Sequence, residues 1–154
     1  QSGEEATQLI SDIIWRVYTK MGDVPWILSG KLGQDSYQRL RFSVDAFLTF
    51  PFSAPAYQWE QVDGGERVCA FNMTRCPVAE YFQAQDLGTL CVQTWCNQDF
   101  PLARQWGGAT LVRTGTLAGG ASHCDFRFHA PKAVREAGPV HNTEEVPREA
   151  SDQS

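Results

Sequence analysis

The sequence predicts an α+β fold: a four-stranded antiparallel sheet of two hairpins, with helices packed on one face. Three observations carry that expectation. The N-terminal third holds two stretches with apolar residues at helical spacing. Two later pairs of short alternating runs flank glycine-rich turns, Asp63-Gly64-Gly65 and Gly119-Gly120. Between the hairpins lie two further helical stretches. With 154 residues the chain suits one domain, read here as 1–129, that can bury a core without staples. A polar tail over 130–154, where large apolar residues nearly vanish, reads as solvated and flexible.

Taken in order, Glu4–Met21 carries Leu9, Ile10, Ile13, Ile14, Val17 and Tyr18 at helical spacing, and Gly22 supplies a stop. Val24-Pro25-Trp26 and the Gly30/Gly33 pair then read as loop. Asp35 or Ser36 caps a second helix running to about Phe50, with Leu40, Val44, Phe47 and Leu48 on its apolar face and Pro51 at its end. Tyr57–Val62 and Arg67–Thr74 form the first hairpin. Its second strand delivers Arg75, Cys76 and Pro77, and Pro77 suits the first turn of a helix over Val78–Gln85. Gly88 breaks that helix and Thr89 caps the next, from Leu90 to about Gln98, on which Val92, Cys96 and Asp99 share a face. Thr110–Leu117 and Ser122–His129 complete the second hairpin. Cys124, Phe126 and Phe128 share one of its faces, opposite His123, Asp125 and Arg127.

Composition narrows the function. A net charge of -5 argues against a general binder of phosphate backbones, so no nucleic-acid partner is expected. No apolar run reaches the length a bilayer requires, and no membrane partner is expected. Five cysteines, an odd number in a chain with ample core, disfavour a complete disulfide framework and suit the reducing cytoplasm. No Cys-x-x-Cys pair exists, and the spacing of Cys76, Cys96 and Cys124 matches no structural zinc pattern, so no metal is expected. There is no Gly-rich dinucleotide fingerprint, P-loop or His-Glu-x-x-His, and no cofactor is expected either.

The chemistry-bearing residues cluster between Cys76 and Phe126. Cys76 sits where a strand meets a helix start, and helix N-terminal N–H groups favour a thiolate. Cys96 and Asp99 fall on one helical face and can reach one cavity. Arg113, an isolated charge on a half-buried strand, needs a partner. Cys69 and Cys91 read as structural, because free cysteine is among the most buried residue types. Cys124 is either core or a further pocket thiol. His123 is the one histidine in this region and has a near-neutral pKa to offer.

The ordered set Cys76-Pro77, Cys96-x-x-Asp99, Thr116-Leu117-Ala118-x-Gly120 and Cys124-Asp125-Phe126 resembles the L-2-amino-thiazoline-4-carboxylic acid hydrolase family, over roughly Arg67–Phe128. The resemblance implies a small heterocyclic substrate: a five-membered cyclic isothiourea with a carboxylate, opened by addition of water at its C=N carbon. Such a reaction calls for a carboxylate to hold the amidinium, a nucleophile or positioned water, and a cation for the substrate carboxylate. The residues of each type near the motif are Asp99 or Asp125, Cys76, Cys96 or Cys124, and Arg75 or Arg113. The implied catalytic set is Cys76, Cys96 and Asp99, with Arg75, Arg113, Cys124 and Asp125 binding substrate. The helix-then-hairpin order and closing Gly…Cys-x-Phe are also similar to the small-molecule-binding 4-vinyl reductase domain, which implies a non-catalytic sensor. A tailoring enzyme of secondary metabolism on the same fold, and a homodimer, remain open readings.

Overall fold

The structure is a computed structural model, and it describes residues 2–32 and 35–132. Among these residues the elements run α1 (Gly3–Lys31), α2 (Ser36–Thr49), β1 (Gln58–Gln61), β2 (Val68–Arg75), α3 (Pro77–Ala84), α4 (Gly88–Thr94), a 3-10 turn (Cys96–Gln98), α5 (Asp99–Gln105), β3 (Thr110–Val112) and β4 (Cys124–His129). The fold is α+β, with a four-stranded sheet in the order β1-β2-β4-β3 and every neighbouring pair antiparallel. The second strand of each hairpin is therefore central. Their pairing puts Phe71 opposite Phe126, Cys69 opposite Phe128 and Met73 opposite Cys124. The rings of Phe71 and Phe126 stack with centroids 4.8 Å apart. Val44, Phe47 and Leu48 of α2 join this sheet face in one core with Leu102, Ala103 and Trp106 from α5 and its end. Each such side chain contributes about 1.5–3 kcal/mol by leaving water.

Local signals set several boundaries. Asp35 caps α2 by accepting from Gln38 N at 2.8 Å, and Gln38 returns the bond to the Asp35 N–H. Cys76 stands at the N-cap of α3 with Pro77 at its first helical position.

The first helix departs from expectation at both its end and its face. It runs through Gly22 and Pro25 to Lys31. Gly22 serves close approach rather than termination. The Trp106 indole N–H donates to its carbonyl at 3.0 Å, and a Cβ there would lie 2.5 Å from Leu102 Cδ1. Pro25 deletes one helical hydrogen bond, but it is buried against the body of the protein, where packing offsets the loss. The buried face is Ile14, Trp15, Tyr18, Gly22, Pro25 and Ser29. Leu9, Ile13, Val17, Val24, Ile27 and Leu28 are exposed instead.

The helix expected over Leu90–Gln98 is interrupted. α4 starts at Gly88, which opens the helix rather than separating two, and stops at Thr94. A 3-10 turn follows, and α5 begins at Asp99. Pro101 explains the restart, since it has no N–H for the Asn97 carbonyl and its ring clashes with that carbonyl in a continuous helix. The Thr94 hydroxyl adds to the break by donating back to Leu90 O at 2.7 Å. The second hairpin is shorter than expected too. Only Thr110–Val112 pairs with β4, and the chain from Arg113 to His123 forms a long connection. Of the polar tail, Pro131 accepts from Ser36 Oγ at 3.0 Å, while 133–154 lie outside the described residues.

Candidate active site

A cavity of ≈ 100 Å³ opens between the sheet, α1 and the α4–α5 segment. Cys76, Cys91, Cys96, Cys124, Asp99 and Arg113 all line it, as do Tyr18 and Tyr57. The rest of its wall is apolar, with Phe47, Phe71, Trp95 and Phe126 among it.

Three segments supply the polar groups. The end of β2 brings Cys76, the α4–α5 break brings Cys91, Cys96 and Asp99, and the second hairpin brings Arg113 and Cys124. At the centre of this wall is an ion pair. Arg113 Nη1 donates to Asp99 Oδ2 at 2.7 Å, and Arg113 Nη2 donates to the Cys96 carbonyl at 3.1 Å. The Arg113 side chain has no exposed surface and that of Asp99 has 17%. The guanidinium also faces the rings of Phe100 and Phe126, at 4.9 and 5.4 Å. Asp99 thus opens a helix and holds a buried cation, whereas the sequence placed it near a helix C-terminus.

Four thiols share the cavity with different proton affinities. Burial pushes the Cys76 thiol up, and the nearby N–H groups of Ala79 and Val78 pull it partly back without closing a capping bond. Burial wins, so the helix start leaves Cys76 protonated at rest rather than a standing thiolate. Cys91 and Cys96 shift each other's proton affinity. Donation from Cys96 lowers the Cys91 pKa, and the same bond, with burial, raises that of Cys96. Cys124 is pushed up to about 11 by burial, against a bond from Leu117 N to its sulfur at 3.2 Å. Tyr57 is pushed up to about 12 and Tyr18 well above the ordinary tyrosine value, both chiefly by burial. Both phenols are therefore neutral hydrogen-bond donors near pH 7.

Two residues that the resemblance offered to the substrate lie elsewhere. Arg75 points outward and pairs with Glu80 at 2.8 Å. Asp125 accepts from the Thr114 hydroxyl at 2.6 Å and from the N–H groups of Thr114 and Gly115 at 2.9 Å each, tying down the hairpin connection. Neither lines the cavity. His123 is absent from the lining as well, and bonds its neighbour Ser122. Cys69 is buried beside a second cavity between α2 and the first hairpin. All five cysteines are free thiols. Among the described residues no group of three or more His, Cys, Asp or Glu is placed to hold a metal ion.

A family model described as L-2-amino-thiazoline-4-carboxylic acid hydrolase matches residues 2–128. The chain belongs to that family. The match takes in α1 and α2, well beyond the motif region of the sequence resemblance, and α1 supplies Tyr18 to the cavity of this hydrolase-family chain. No curated protein and no solved structure matches the chain. No helix among the described residues is long and apolar enough to cross a membrane.

Three cavity residues of this family member escaped the sequence reading: Cys91, Tyr18 and Tyr57. Cys91 precedes Cys96 by five positions, which an unbroken helix would splay by about 140°. With the break at Trp95, both thiols line the one cavity. Thr94 and Pro101 were the available signals for the break.

Proposed function

We propose that this cavity is the active site of a cofactor-independent hydrolase that opens a small heterocycle, an amino-thiazoline carboxylate or a close relative. The observation that carries the reading is the meeting of Cys76 with the Asp99–Arg113 pair in one largely apolar cavity of a chain in this family. Size supports it. At about 10–15 Å³ per water-sized group, the cavity admits roughly seven to ten heavy atoms, and the thiazoline ring with its amino and carboxylate groups has about nine. Charge supports it too, since the ring becomes an amidinium on protonation and carries a carboxylate, and the wall offers a carboxylate beside a guanidinium.

In this mechanism the neutral ring takes the Cys76 proton on its ring nitrogen. That transfer leaves a thiolate beside an amidinium held by Asp99. The thiolate adds to the carbon bearing both nitrogens. Asp99 then moves a proton from the exocyclic amino group to the ring nitrogen, which leaves as an amine as the C–N bond breaks. Water adds to the enzyme-bound carbon and expels the Cys76 sulfur, regenerating the thiol and a carbamoyl product. Arg113 binds the substrate carboxylate, and the apolar wall keeps other water away.

The test is turnover of an amino-thiazoline carboxylate by wild type and Cys76→Ser. Because a hydroxyl is a far weaker nucleophile than a thiolate, kcat/KM falls roughly 10²–10⁴-fold in the folded variant. Undiminished turnover by Cys76→Ser removes the covalent step. Binding without turnover in wild type replaces the hydrolase with a ligand-binding module, which the apolar lining would also suit.

A further inference from the structure

The outer face of α1 has no covering among the described residues, and it is built of aliphatic side chains. Leu9 is 60% exposed, Ile13 56%, Val17 54%, Val24 59%, Leu28 48% and Leu32 62%. At about 100° per residue this stripe is centred about 100° around the helix from the buried face of Ile14, Tyr18, Pro25 and Ser29. A helix with a second apolar face is normally enclosed there too.

We propose that α1 pairs antiparallel with α1 of a second copy of this chain, forming a symmetric homodimer. The spacing of the stripe argues for that occupant, because it is its own complement. About a midpoint between Lys20 and Met21, Leu9 comes opposite Leu32 of the second copy, Ile13 opposite Leu28, and Val17 opposite Val24. Each of these pairs appears twice across the two-fold axis, so one helix face supplies both halves of the seam. A helix of 29 residues gives a seam of up to roughly 43 Å.

Area agrees as well. Eight aliphatic side chains, counting Ile10 and Ile27, have about half of their surface open. That amounts to on the order of 700 Å², above the roughly 300–600 Å² of the largest patch on an ordinary monomer. It approaches the ~800 Å² per partner of a stable interface.

Sedimentation of the full chain at micromolar concentration tests the proposal. Wild type sediments as a dimer. Val17→Glu, at a position already exposed in the single chain, keeps the far-ultraviolet circular dichroism and weakens the dimer by roughly tenfold or more. A monomeric wild type overturns the proposal, and vesicle binding by that monomer would reassign the stripe to a lipid surface. A Val17→Glu protein that dimerises like wild type overturns this seam.

Discussion

Replacing Asp99 with Asn tests the site's centre, and its effect on stability has to be separated from its effect on rate. The Arg113 guanidinium is fully buried, and Asp99 Oδ2 is its carboxylate partner at 2.7 Å. Removing one member of a buried ion pair costs about 3–5 kcal/mol, because the other charge is left desolvated. Asn keeps the shape and still accepts one hydrogen bond, recovering about 1 kcal/mol. The net loss is thus about 2–4 kcal/mol. For a domain of this size that lowers Tm by roughly 6–20 °C. Adding Arg113→Met removes the stranded charge and returns stability to within about 1 kcal/mol of wild type. Kinetics then divide the roles. Losing Arg113 raises KM, whereas losing an acid/base group lowers kcat at saturating substrate by roughly 10²–10⁴-fold. The assay is thermal melting plus steady-state ring opening for wild type, Asp99→Asn and the double variant. Recovery of wild-type kcat together with Tm in the double variant would refute a catalytic Asp99 and leave it as a structural partner of Arg113. An Asp99→Asn protein that melts like wild type would refute the ion-pair argument itself.

Other consequences are more local. Gly22→Val drives a branched side chain into Leu102 at the α1–α5 contact and destabilises by about 2–4 kcal/mol despite glycine's low helix propensity, so an unchanged denaturation midpoint would count against the close-approach role. Asp125 has a lowered pKa: burial alone would raise it, but the bonds from Thr114 and Gly115 together outweigh that. Its stabilisation is full above the unfolded value of about 4 and disappears as pH falls through the folded value, so the roughly 1–3 kcal/mol lost in Asp125→Ala at neutral pH shrinks in acid. A gap between the two proteins that stays constant from neutral pH into acid would contradict this. Cys96→Ala removes the donor that lowers the Cys91 pKa, so the most acidic thiol in an ultraviolet thiolate titration moves upward; an unmoved titration would show that Cys96 does not donate.

Much of the fold was legible because its signals are local. The Asp35 cap and the Cys76-Pro77 helix start act on their neighbours alone, and each does so in the structure, while the first hairpin forms with its turn at Glu66-Arg67, just after Asp63-Gly64-Gly65. The α1 boundary was not legible. Gly22 and Pro25 are helix breakers by propensity, and only packing against Leu102 and Trp106 overrides them. The outer face of α1 misled in a second way, since its periodicity is real but faces away from this chain's core.

The two arginines show where legibility in the site ends. Leu111 is buried, and the two-residue period of a strand puts Arg113 on the same face, toward the core. A cation there demands an anion, so its partnership with a nearby carboxylate could be foreseen from the sequence. The same period would put Arg75 on the face of buried Met73. It does not reach that face, because the β1–β2 register shifts at this point: Trp59 pairs with Met73, but the adjacent Gln58 pairs with Arg75. The irregularity reorients the strand end, and Arg75 lies outside against Glu80. Cys76 follows it directly and lines the cavity. A one-residue irregularity with no clear sequence signature therefore decides which of two adjacent residues faces the chemistry, and leaves Arg113 as the cavity's cation.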